Sequence, residues 1–452
     1  MTAEHTPIRT AHEIAPTEVH DVLREHLLVD GLDLVLDTDK SQGSWLVDAR
    51  DGTRYLDMFT FFASAPLGFN HPALLADRDF LDELTAVSVN KPSNSDVYTT
   101  HLARFVASFQ RVLGDASLPH LFLVSGGALA VENALKVAFD WKRRHNAANG
   151  RDGDRGRQVL HLAKAFHGRS GYTLSLTNTD PVKTMLFPVF DWPRVGSPGI
   201  VFPLEDHLEQ VVAAEQAVLA DVRRHFEQAD HDIACTLIEP IQGEGGDNHF
   251  RPEFLQALQA LTHEFDALFV VDEVQSGGGV TGTPWAFQQL GIQPDVLAFG
   301  KKIQVCGVMA GGRVDEVKDN VFSVSSRINS TWGGNLTDIV RSRKIWDVVG
   351  EQDLMANAAA MGTVLLERIT QMQDRHAALD NARGRGLLVA VDLPDTATRD
   401  AVLTTMFDDE HVILLGCGTR SIRFRPHLAV VEQDVLAACE ALDRVLTKGA
   451  FA

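Results

Sequence analysis

The sequence predicts an α/β fold, a mainly parallel sheet covered by helices with a smaller α+β unit attached. Three observations carry that prediction. Short apolar runs at 121–124, 159–162, 233–238, 268–271 and 296–299 are unbroken by polar alternation, as strands buried on both faces of a parallel sheet are. Between about 121 and 312 these runs alternate with helical patterns, the texture of a sheet layered by helices. Beyond Thr331-Trp332-Gly333-Gly334-Asn335 the texture changes to a long helical stretch, 336–373, followed by strand-like runs at 386–391 and 421–426. The expected division is an N-terminal segment, 1–59, that packs with the small unit, a large domain at 60–335 and the small domain at 336–452.

Length and charge narrow the functions. The chain has 452 residues, 45% of them hydrophobic, ample for a sizeable core. Against 41 basic residues stand 61 acidic ones, a net charge of −20 that repels nucleic acid and anionic membranes. An anionic substrate then needs local arginines. Cys235, Cys306, Cys417 and Cys439 are scattered without pair spacing, which speaks against a disulfide framework or a zinc site and for a reducing, cytoplasmic setting. No run approaches 18 apolar residues, and the stretch 1–16 is polar with no apolar core, so neither a membrane span nor a signal peptide is expected.

Taken in order, residues 17–28 read as a short amphipathic helix capped by Thr17. Ser44-Trp45-Leu46-Val47 and Thr53-Arg54-Tyr55-Leu56 read as a hairpin joined at Asp51-Gly52. The run 121–124 leads directly into Ser125-Gly126-Gly127-Ala128 and a helix over 129–141. A strand, a glycine turn and a helix N-terminus form an anion site from free N–H groups and the helix dipole. The run 159–162 leads into Phe166-His167-Gly168-Arg169, an aromatic ring beside a guanidinium able to take a carboxylate. One or two helices fill 203–229. The run 233–238 ends in Glu239-Pro240 and the loop Ile241-Gln242-Gly243-Glu244-Gly245-Gly246-Asp247.

The rest is organised around 268–302. Its first apolar run ends in Asp272 and Glu273, its second in Gly300, Lys301 and Lys302. Ligands of open α/β sheets sit beyond the carboxyl ends of the strands. Two neighbouring strands would therefore present an acid and a lysine to one crevice, with 284–290 as the crossover helix between them. Pyridoxal phosphate requires such a pair: a lysine amine for a Schiff base and a carboxylate facing its pyridine nitrogen. An ordinary solvated acid–lysine pair is the competing reading. Gly277, Gly279 and Gly282 also match the dinucleotide pattern G-x-G-x-x-G. They fit it poorly, because Asp272 and Glu273 precede them and would repel a pyrophosphate, and no acid ends the next run.

Together, the motifs at 125–136, 166–169, 239–246, 272–277, 300–301, 330–335 and 423–428 resemble the class III (ω-amino) pyridoxal-phosphate aminotransferases, a fold-type I family with a seven-stranded-type sheet. The resemblance runs from about 28 to 446. It implies Lys301 as the Schiff-base lysine with Lys302 its non-catalytic neighbour, Asp272 on the pyridine nitrogen, and Val274 and Phe166 sandwiching the ring. It further implies Gln275 on the phenolic oxygen and the N–H groups of Gly127 and Ala128 on the phosphate. Ser330 and Thr331 would come from a partner subunit, which implies a homodimer with shared sites. Arg169 would hold the distal carboxylate of the substrate and Arg423 the α-carboxylate of the keto acid, with Glu244 covering Arg423 while an amine donor is bound. Asn329 would contact substrate, and Glu239 would support the site from its rim. Segments 90–98 and 301–308 are most similar to the lysine-using members, which implies L-lysine as donor and 2-oxoglutarate as acceptor. Ornithine, 4-aminobutyrate or diaminobutyrate are alternative donors, and a non-catalytic dimeric scaffold is a more distant alternative. Where many members carry Asn-Ser-Gly-Thr-Glu-Ala, this chain has Ser125-Gly126-Gly127-Ala128-Leu129-Ala130, so the threonine hydroxyl is missing from the phosphate site.

Overall fold

The computed structural model describes residues 14–449, so nearly all of the polar N-terminal stretch lies outside the described residues. Thr17 is no cap. It sits inside a one-turn 3-10 helix, Pro16–Glu18, that runs directly into the short helix Val19–Arg24. The expected hairpin forms from β1 (Trp45–Val47) and β2 (Arg54–Asp57). Val47 faces Arg54, so residues 48–53 all belong to the connection and it is not a two-residue turn.

The centre of the molecule is a seven-stranded sheet. Its strands are β3 (His120–Val124), β4 (Gln158–Leu162), β5 (Arg194–Val195), β6 (Ile233–Ile238), and, after the small ribbon β7 (Ile241–Gln242) and β8 (Asn248–His249), β9 (Leu268–Asp272), β10 (Val296–Phe299) and β11 (Cys306–Ala310). Their spatial order is β3-β11-β10-β9-β6-β4-β5. Only β11 runs against its neighbours; the other pairs are parallel. Every residue of β6, β9 and β10 is buried, as their mainly apolar sequences lead one to expect, the polar exceptions being Thr236 and Asp272. The expectation of a fully buried β3 fails, because it is an edge strand and only its last residue is buried.

Helices cover both faces. The helix Gly127–Ala148 lays Ala130, Ala134, Ala138 and Trp141 against the sheet. The segment after 203 is one helix, Leu204–Ala229. The stretch after 335 is two helices, Leu336–Glu351 and Leu354–Gln373, broken at Asp353 in the left-handed region (φ 50°). The crossover between β9 and β10 holds only a 3-10 turn, Ala286–Gln289, because tight turns at Gly278, Gly279 and Gly282 consume the connection. Those glycines abut Trp346, Met355 and Ala359, and Gly277 abuts Trp285, so no open phosphate loop exists there.

The C-terminal part adds a four-stranded antiparallel sheet from β12 (Asp380–Arg385), β13 (Leu388–Asp392), β15 (Leu415–Cys417) and β16 (Ser421–Phe424), ordered β12-β13-β16-β15. Between them β14 (Val412–Ile413) pairs in parallel with β2, joining the N-terminal hairpin to the C-terminal part.

Candidate active site

The parallel strands end on one edge, and that edge gathers the chemistry. Asp272 ends β9, Lys301 follows β10, Glu239 follows β6, and Phe166 follows β4. In register, Ala298 lies opposite Asp272, so the acid and Lys301 emerge side by side. They face a cavity of about 260 Å³, together with Gly127, Ala128, Phe166, Glu239, Val274 and Gln275.

The cavity floor is held rigidly. The Asp272 carboxylate is 5% exposed; Oδ1 accepts the Val274 N–H at 3.0 Å and Oδ2 meets Nδ1 of the buried His167 at 2.8 Å. The Lys301 amine is drawn down to about 8, first by burial and then by the positive fields of Arg423 and Arg425. Lys302 points elsewhere, its buried Nζ donating to the Gln275 carbonyl at 2.7 Å. Glu239 is not at the rim. It is buried in the cavity wall, accepting the Phe166 N–H at 2.9 Å and the Gly243 N–H at 3.2 Å, and burial pushes its carboxyl up to about 7.

A second layer joins the cavity to β16 and the 243–247 loop. Arg423, 1% exposed, donates to Gln275 Oε1 at 3.2 Å and to Glu244 Oε2 at 3.0 Å. Arg425 donates to the same Gln275 oxygen at 3.3 Å from both Nε and Nη2 and ion-pairs with the buried Asp247. Guanidinium groups only donate, so Gln275 must turn its oxygen to them and keep its NH2 as a donor. Gly243 makes this approach possible, since a Cβ there would come within 2.4 Å of that oxygen. The other oxygen of Glu244 meets Lys183 Nζ at 2.6 Å. Burial alone would raise the Glu244 carboxyl; Arg423 and Lys183 outweigh it and hold the group below its ordinary value. Arg169 is exposed and carries no hydrogen bond or ion pair to the described residues.

At the other end of the cavity, the helix Gly127–Ala148 starts at Gly126 (φ 116°) with no side-chain cap, leaving its first N–H groups open to a ligand. Gly168 (φ 122°) presses this turn so closely that a Cβ would lie 2.5 Å from that of Ala128. Within one chain the cavity does not include Asn329, Ser330 or Thr331. Asn329 and Thr331 are exposed, and the Ser330 carbonyl is braced by Ser95 Oγ at 2.5 Å.

Three residues that shape the site carried no reading of their own. His167 stood in a noted motif, yet only the fold turns its ring to Asp272. Arg425 and Arg423 lie two apart on or beside one strand, a same-face spacing that could have paired them. Lys183, in a segment without a recognisable motif, gave no signal.

The family model Aminotransferase class-III matches residues 29–446. The L-lysine-epsilon aminotransferase of Amycolatopsis lactamdurans is 58% identical over 94% of this chain and 94% of its own length. That of Streptomyces clavuligerus is 56% identical over 95% and 94%. A solved structure of the lysine aminotransferase from M. tuberculosis, in the internal aldimine form, is 56% identical, covers 96% of this chain and 100% of its own, and superposes with a TM-score of 0.95.

Proposed function

The chain belongs to the class-III aminotransferase family, which uses pyridoxal 5'-phosphate, and we propose that it moves the ε-amino group of L-lysine to 2-oxoglutarate, giving 2-aminoadipate 6-semialdehyde and L-glutamate. The observation that carries the reading is the Lys301 amine and the Asp272 carboxylate facing one cavity at the end of neighbouring parallel strands. The residues present fit the cofactor: an acid for a ring nitrogen, an amine, an apolar pair (Val274 and Phe166) and an uncapped helix N-terminus for a phosphate. When bound, pyridoxal phosphate supplies a carbonyl for amine exchange and a ring that accepts electrons.

The chain's own groups do the rest. Asp272, oriented by His167, would face the ring nitrogen and favour its protonated form. Gln275 would offer its NH2 to the phenolic oxygen, and the Gly127 and Ala128 N–H groups would hold the phosphate without the hydroxyl that threonine would add. Lys301 Nζ takes a proton from the ε carbon of lysine and, in the return half, gives one to carbon 2 of the acceptor. An amine drawn down to about 8 is suited to both tasks near neutrality. Arg169, exposed and without a hydrogen bond or ion pair among the described residues, receives the carboxylate remote from the reacting carbon. Arg423 receives the α-carboxylate of 2-oxoglutarate once Glu244 releases it, and Glu244 closes that arginine against an amine donor. Glu239 fixes the backbone under Phe166 and Gly243.

The assembly is a homodimer in which Ser330 and Thr331, with Asn329, serve the partner's cavity. The exposure of Asn329 and Thr331 in the single chain supports this, as does that of the neighbouring Trp332. Light scattering on the active enzyme should give twice 49.5 kDa; an active monomer would refute it. The domains divide as 60–335 and 336–452, with the described part of 1–59 joined to the small one through the pairing of β2 with β14. A cytoplasmic setting suits four cysteines without disulfides, and no helix among the described residues is long and apolar enough to cross a membrane. The function is tested by the absorbance spectrum of the purified protein before and after lysine. A yellow band that shifts on lysine, but not on ornithine or 4-aminobutyrate at equal concentration, is the expected result.

A further inference from the structure

We propose that Lys183 is a positioning residue for the acceptor half of the reaction: it retains the Glu244 carboxylate when Arg423 gives it up to a keto-acid carboxylate. The inference rests on the pairing of Glu244 with Arg423 assigned above. Two cations divide the oxygens of one carboxylate, Lys183 Nζ at 2.6 Å from Oε1 and Arg423 Nη2 at 3.0 Å from Oε2. They stand on different elements, Lys183 on the 3-10 turn Pro181–Lys183 and Arg423 on β16.

Neither contact is a loose surface pair. The side chains of Lys183, Glu244 and Arg423 are 16%, 27% and 2% exposed. Lys183 is further fixed by a hydrogen bond to Thr179 Oγ1 at 3.2 Å, and its ammonium lies 5.5 Å from the Phe166 ring centroid. Arg423 is anchored independently by Gln275, and its Nε has no partner among the described residues. When a carboxylate arrives at Arg423, the arginine stays and the glutamate must leave.

A carboxylate that loses one of two cations keeps a charge-assisted hydrogen bond; one that loses its only cation is left half-buried and unpaired, at much greater cost. With Lys183 present, opening is the first case. Without it, opening is the second, and Glu244 also clings harder to Arg423. Both effects oppose the acceptor. The donor half needs only the closed pair, which survives without Lys183. A purely structural lysine, bracing the 179–193 segment, would instead impair both halves alike.

The test uses the loaded enzyme and Lys183→Met, which keeps the length and removes the charge. The affinity for glutarate, a dicarboxylate with no keto group to react, should fall about tenfold by calorimetry, as expected for one lost charge-assisted contact. The lysine half-reaction should stay within about threefold of the parent in rapid mixing, and Lys183→Arg should restore glutarate binding. In a Glu244→Ala background, adding Lys183→Met should leave glutarate affinity unchanged. Unaltered glutarate binding in Lys183→Met, an equal slowing of both halves, or the same loss without Glu244 would each overturn the assignment. Failure of the parent enzyme to move the amine of lysine to 2-oxoglutarate would instead strike the functional reading, and glutarate binding would still judge Lys183.

Discussion

Lys301→Met should make the cofactor-free protein more stable. The Lys301 amine sits about 2.5 pH units below its ordinary value of 10.5, mainly because burial disfavours its charge. Near pH 7 the folded state therefore holds the ammonium less favourably than the unfolded chain does. At about 1.36 kcal/mol per pH unit the penalty is at most ~3.4 kcal/mol, and relaxation and water entry reduce it to about 1–3 kcal/mol. Methionine fills a similar volume without charge. The sign follows from proton counting. Between pH 8 and 10.5 the unfolded chain binds a proton at this lysine that the folded chain does not, so parental stability rises with pH across that window. The advantage of the variant is full below pH 8 and should shrink to about a quarter at pH 10. In a chain of this length it corresponds to roughly 1–3 °C in thermal midpoint at pH 7. Thermal unfolding of both cofactor-free proteins at pH 7 and pH 10 reads it directly. A gap that does not narrow at pH 10, or a parent that is the more stable at pH 7, would refute the reasoning.

The other predictions concern the chemistry. Lys301→Ala should abolish transamination, whereas Lys302→Ala, which loses a buried donor to the Gln275 carbonyl, should lower the thermal midpoint while keeping measurable turnover; the reverse pattern would identify the other lysine as catalytic. Asp272→Asn should lower kcat by at least about 100-fold with the cofactor still bound, and His167→Gln by about tenfold or more through loss of the hydrogen bond that orients the acid. Near-normal kcat in Asp272→Asn would remove its role. Glu244→Ala should slow the lysine half-reaction more than the 2-oxoglutarate half and admit α-amino donors such as glutamate; equal slowing with unchanged regiospecificity would show that Glu244 does not select between substrates.

Much of this was legible before folding. Runs such as 233–238 and 296–299 read correctly as strands because burial on both faces leaves no alternation of polar and apolar positions in the sequence. Asp272 and Lys301 could be paired because strand ends in a parallel sheet share an edge. What stayed hidden depends on direction and distance. Thr17 has the right chemistry for a cap, but Pro16 starts a turn one residue too early. The 284–290 crossover lost its helix to the glycine turns before it. The family resemblance puts Glu239 at the rim, and nothing in Glu-Pro says whether a side chain continues into the core or leaves it. Lys183 was invisible because its partner lies 61 residues away on another loop.

The amide of Gln275 has an implication for anyone redesigning this enzyme. Three guanidinium N–H groups converge on its oxygen, so glutamate at 275 would fit the same pocket and bind both arginines more strongly. It would forfeit only the NH2 group. A search guided by stability alone would therefore favour Gln275→Glu, and in taking it would place a negative charge where the proposed function puts the anionic phenolic oxygen of the cofactor. At this position the fold and the reaction select opposite residues that differ by one terminal group, and only a screen that reads turnover can tell them apart.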